Sequence, residues 1–131
     1  MVLVIYNTAI DTPKQYTIVV TKKAALECYQ RAGWGYIRLP PSFAGYYEKK
    51  TRVLTEQELQ QLLNIAQILE DSKYSETMTY TLGGTSYFLL YHNRILAIDS
   101  NPQGGGGGAA MFGILIDTLL ELSPMQIDVS R

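Results

Sequence analysis

The chain has 131 residues, 47% of them apolar and 18% charged, with a net charge of −1. These totals exclude a disordered chain and suit one globular domain over residues 1–131, large enough to bury about two-thirds of its unfolded surface. They also argue against nucleic acid as a partner, which needs a clustered positive field; the one basic cluster, Lys49, Lys50 and Arg52 beside Glu48, reads as a solvated strand edge.

"VLVIYN" (Val2–Asn7) and "QYTIVVT" (Gln15–Thr21) are rich in β-branched residues, and the Asp and Pro of "TAIDTPK" between them punctuate a turn. A strand pair is expected. The N-terminal apolar stretch lacks a basic leader and is too short for a signal core. No apolar run is long enough to cross a membrane, since "AAMFGILIDTLL" is short and carries Asp117. No membrane contact is therefore expected and the chain reads as cytoplasmic, although a signal removed from upstream would leave no trace in these residues.

Residues 22–32 admit two structures. Thr21 caps a short helix that stops at Gly33, with Leu26, Tyr29 and Ala32 on one face. Alternatively "ALECYQR" is a strand with Leu26 and Cys28 facing one way and Glu27, Tyr29 and Arg31 the other. The Lys, Ala, Leu and Glu content favours the helix. Cys28 is the single cysteine, which excludes an intrachain disulfide and a cysteine metal cluster. It reads as a buried apolar group.

Gly33–Lys50 is irregular: Pro40 and Pro41 exclude a helix interior or central strand there. Within it Trp34, Tyr36, Arg38, Phe43, Tyr46 and Tyr47 are concentrated. Trp, Tyr and Arg are enriched at binding hot spots because they join large contact area to a polar end. The competing assignment is structural: Trp34 and Phe43 plug the open end of the sheet while the tyrosine hydroxyls point to water. "YYEKKTRVL" then returns as a strand.

The helix at Thr55 carries a full set of signals. Thr55 and Glu58 form a capping box, Leu54 and Leu59 a hydrophobic staple, and Leu59, Leu62, Leu63, Ala66 and Leu69 an apolar stripe widened by Ile65 and Ile68. "ETMTYTL", "TSYFLLYH" and "ILAID" follow as three strands of an antiparallel meander, turning at Gly83-Gly84 and at Asn93-Arg94. A second helix, "AAMFGILIDTLLELS", stops at Pro124; only Gly113, Asp117 and Glu121 interrupt its apolar circumference. Such a helix either sits deep between the sheet and the first helix or offers its extra apolar face to a second copy of the chain. "MQIDVS" alternates as a last strand. The expected fold class is α+β: a mostly antiparallel sheet of five to seven strands with two main helices on one face.

Chemistry is read mostly by exclusion. Gly104, Gly106 and Ala109 fit a dinucleotide fingerprint, with Asp128 at the distance of a ribose-binding acid. A run of five glycines fits any glycine spacing, however, and the chain is too short for the remaining strands. The phosphate-loop pattern fails because no Lys-Ser/Thr follows. What survives is an anion loop of Gly104, Gly105, Gly106, Gly107 and Gly108 before a helix N-terminus. His92 is the only histidine and has no second His or Cys with which to hold zinc; a hydrolase would have to draw on Ser86 or Ser100 and Asp99. No metal site and no cofactor are implied. The leading expectation is a non-enzymatic binding or regulatory module that contacts a protein, or a second copy of itself, through the aromatic segment 33–47 and the apolar last helix. A small-ligand protein using the glycine loop and a hydrolase-like enzyme using His92 are the alternatives.

Overall fold

The structure is a computed structural model and describes residues 1–7, 14–32, 41, 45–71, 85–92, 94–99, 108–127 and 129. Its elements are β1 (Val2–Asn7), β2 (Lys14–Val20), β3 (Ala25–Ala32), β4 (Glu48–Val53), α1 (Glu56–Asp71), β5 (Thr85–Tyr91), β6 (Arg94–Asp99) and α2 (Gly108–Leu122). The strands form one sheet in the order β4-β3-β2-β1-β5-β6, and every neighbouring pair is antiparallel. The α+β expectation, an antiparallel sheet with two helices, is what the chain adopts.

The registers assign each side chain to a face. Leu3 sits between Ile18 and Leu89, and Ile5 between Tyr16 and Tyr87; on the same face, Leu26 and Cys28 lie beside Val20 and Ile18. These residues join Leu62, Ile65, Ala66 and Leu69 of α1 and Phe112, Leu115, Ile116 and Leu119 of α2 in one buried cluster. Both helices therefore cover this face. The opposite face carries a smaller buried cluster of Val4, Tyr6, Phe88 and Leu90.

α1 begins as its sequence dictates. The Thr55 N–H donates to Glu58 Oε1 (2.9 Å) and the Glu58 N–H to Thr55 Oγ1 (3.1 Å), so each residue satisfies a backbone donor the helix leaves free. Ile68, expected to widen the buried stripe, is instead 49% exposed. Arg52 ties three elements together. From β4 it donates to Glu58 Oε2 (2.9 Å) and to the Leu122 carbonyl at the end of α2 (3.2 Å), where a cation also meets the negative end of the helix dipole.

Three expectations need correction. Residues 25–32 are a strand, and burial alternates along it as the period-2 assignment requires. Thr21 does bond a backbone N–H four residues on, but it is that of Ala25 across a hairpin turn (3.2 Å). Ala24 closes the turn at φ 58°, and pairing with β2 outweighs the helical propensity of the segment. The three-strand meander is also not formed: β5 has β1 and β6 as its neighbours. Residues 76–82, the proposed first strand of that meander, lie outside the described residues. Finally, "MQIDVS" is not a strand in its described part; after α2, Met125 is buried and Ile127 and Val129 pack on the main cluster, so the alternation reports burial without pairing.

The over-apolar second helix is accounted for from within. Phe112, Leu115, Ile116 and Leu119 are at most 2% exposed, against 49% for Ile114. Gly113, assigned to the polar stripe, is buried, and Asp117 is half-buried.

Candidate functional site

The aromatic segment enters the described structure at Gly45, Tyr46 and Tyr47, just before β4. The Tyr47 N–H donates to the Gln30 carbonyl (3.0 Å), while Glu48 is the ladder partner of Gln30. Two residues thus address one, the geometry of a bulge that re-aims side chains where a strand begins.

Tyr46 turns onto the face of the sheet away from the two helices. Its hydroxyl is hydrogen-bonded to that of Thr17, a residue with no exposed surface. Its ring lies 5.1 Å from that of Tyr29, tilted by 46°, and the Arg31 guanidinium stands 5.9 Å above it. Burial pushes the Tyr46 phenol above its ordinary value, against the opposing pull of Thr17 and Arg31. Lys49, opposite Tyr29 in the ladder, sits 5.3 Å over the Tyr29 ring and 3.7 Å from Glu27. The Tyr29 hydroxyl donates to Glu27 Oε1 (3.1 Å), and Tyr29 and Glu27 together hold the Lys49 ammonium above its ordinary value.

The result is a tyrosine pair flanked by two cations, a preferred setting for aromatic rings because their faces attract positive charge. Tyr47 stands beside it 61% exposed, and Val53, at the far end of β4, is 79% exposed. Such an arrangement can bind.

The sequence-predicted residues divide accordingly. Tyr46 and Tyr47 lie at this site, whereas Trp34, Tyr36, Arg38 and Phe43 lie outside the described residues. Tyr46 does not fit the structural assignment, since its hydroxyl engages a buried threonine. Tyr29, Arg31, Lys49 and Thr17 were not singled out for binding. The signal for Tyr29 and Arg31 was present, because the strand alternative put them on one face with Glu27.

The other candidates are not assembled. Of the glycine loop, only Gly108 lies in the described structure, as the first residue of α2; Gly104, Gly105, Gly106 and Gly107 fall outside it. His92 occupies the turn after β5 at φ 52°, stacked on Tyr91 at 3.9 Å, with Nδ1 3.1 Å from Glu70 Oε2. It has an acid, but among the described residues no hydroxyl joins them. Ser86 is six residues away, on the order of 20 Å along the strand, and is 1% exposed with its hydroxyl unpaired. Ser100 and the side chain of Asp99 lie outside the described residues. Cys28 is 1% exposed, and burial pushes its thiol up. Ser123 donates its hydroxyl proton to the Met125 carbonyl (2.7 Å), so the thiol 3.4 Å away is left to donate to the Ser123 oxygen. That is an inert thiol in a packed core. Among the described residues no group of three metal-ligating side chains occurs, and no helix is long and apolar enough to cross a membrane.

No protein family, curated protein or solved structure matches the chain. The functional reading therefore rests on geometry.

Proposed function

We propose that the protein is a non-catalytic binding module whose contact surface is the edge of β4 and the exposed side chains beside it on β3 and β4, and that its partner is a protein. The observation that carries this reading is the contrast between adjacent tyrosines. Tyr46 is held by Thr17, Tyr29 and Arg31, while Tyr47 projects 61% exposed from the same stretch. An exposed ring beside a rigid, satisfied one gives large contact area at small entropic cost, the property that makes tyrosine a hot-spot residue. Self-association through α2 is less favoured, because Ile114 is the one large apolar side chain of that helix exposed among the described residues.

The test is site-specific photocrosslinking in cells that express the protein. A benzophenone amino acid at position 47 is expected to give discrete adducts that the same group at Gln57, on the exposed side of α1, does not. Tyr47→Ala should remove competition for those adducts while leaving the melting temperature unchanged. Identical adducts from both positions, or none from position 47, would overturn the reading.

A further inference from the structure

β4 is the outermost strand of the sheet on its side, and its hydrogen-bond parity is fixed by one contact. The Leu54 N–H donates to the Ala24 carbonyl (2.8 Å), in register with the ladder that pairs Val53 with Ala25. In an antiparallel pair, bonded and non-bonded positions alternate. Arg52, Lys50 and Glu48 therefore spend their main-chain groups on β3. The N–H and C=O groups of Lys49, Thr51 and Val53 point away from the sheet, and no strand lies beyond them among the described residues.

Charge is distributed unevenly around this edge. β3, β4 and the turn before β3 carry six of the eleven Lys and Arg residues (Lys22, Lys23, Arg31, Lys49, Lys50 and Arg52) but two of the twelve acids, Glu27 and Glu48; a third acid, Glu58 of α1, reaches this edge at Arg52 (2.9 Å). Glu27 and Glu48 are each shared with a lysine at 3.6–3.7 Å in partly exposed pairs, of the kind that contributes little. Arg31 and the exposed turn residues Lys22 and Lys23 have no carboxylate within salt-bridge distance among the described residues.

We propose that the outer edge of β4 receives an extended, acidic segment of a partner protein as an additional strand. The inference rests on the contact surface proposed above and names its binding mode and partner chemistry. Main-chain bonds to Lys49, Thr51 and Val53 supply the affinity, as in other strand-addition complexes. Side chains supply the choice: carboxylates opposite Lys49 and Lys50 and beside Arg52, which Glu58 already engages, a β-branched residue opposite Thr51 and an apolar one opposite Val53. A second copy of β4 is a poor occupant. Antiparallel pairing centred on Thr51 would bring Lys50 of each copy against Arg52 of the other, and like charges across strands repel.

The test uses a fluorescent peptide, Val-Glu-Thr-Glu-Glu-Thr-Val, with two variants: one N-methylated at its third and fifth residues, the other with lysine in place of each glutamate. The acidic peptide is expected to bind, the N-methylated one about tenfold more weakly or not at all, and the lysine one not at all. Thr51→Pro removes an outward N–H without breaking a bond to β3; it should abolish binding with an unchanged circular dichroism spectrum. Equal affinity for the N-methylated peptide, or equal affinity for a single-stranded oligonucleotide of the same charge, would overturn strand addition in favour of plain polyanion attraction. So would no binding at millimolar peptide, or a wild-type dimer that Thr51→Pro dissociates. If any of these results coexists with adducts from position 47, the contact surface stands and only its mode falls; if those adducts are also absent, both fall.

Discussion

The β1/β5 pair and the β3/β4 pair share one backbone geometry and one sheet, yet they are built for opposite ends. β1 and β5 sit inside the sheet, and their side chains are buried on both faces: Leu3, Val4, Ile5 and Leu89 expose no surface. They read as near-continuous apolar runs, "VLVIY" and "YFLLY", as strands covered on two sides must. β4 reads "EKKTRV", pairs on one side only, and leaves Val53 79% exposed. Position in the sheet thus separates two duties. The centre holds the fold together, and the edge carries exposed groups that contribute little to stability.

Substitutions can break or sharpen this division. The largest effect is expected from Leu89→Ala, which empties a fully buried site and should cost about 2–5 kcal/mol, read from the urea midpoint. Val53→Ala at the edge should stay within about 0.5 kcal/mol of wild type; comparable losses at both sites would erase the distinction. Next in size is Thr55→Ala, which removes one half of the capping box beside β4 and should cost about 1 kcal/mol. The smallest effect is pH-dependent. The Thr55 backbone N–H, and then the Arg52 charge, hold the Glu58 carboxyl below its ordinary value. Its charge therefore stabilises the fold at pH above the ordinary carboxylate range, and that contribution is lost as pH falls through the lowered folded value. Glu58→Gln should be less stable than wild type at neutral pH, and urea titrations should show the gap closing on acidification. A gap that widens instead would mean that the Arg52–Glu58 contact is not what the charge serves.

Much of this was legible in the sequence, for reasons that are local. Thr55 and Glu58 announce a helix start because both partners of the box are three residues apart in the chain. β1, β2, β5 and β6 announce themselves by β-branched or apolar runs. β3 was less legible because Lys, Ala, Leu and Glu favour a helix, and only pairing with β2 and β4, a non-local fact, settles Ala25–Ala32 as a strand. The neighbours of β5 were hidden for the same reason: β1 lies some eighty positions earlier, and no local signal reports that contact. At the candidate site, Tyr46 and Tyr47 stood out by composition. Tyr29, Arg31 and Lys49 join them only once the register places Lys49 against Tyr29.

The most direct measurement is amide hydrogen exchange along β4, resolved by residue. The amides of Lys50 and Arg52, bonded to β3, should exchange slowly, and those of Lys49, Thr51 and Val53 rapidly. The acidic peptide should slow the second set and leave the first unchanged. Uniform protection of all five amides in the free protein, or peptide binding that leaves Lys49, Thr51 and Val53 fast, would contradict an open edge that accepts a strand.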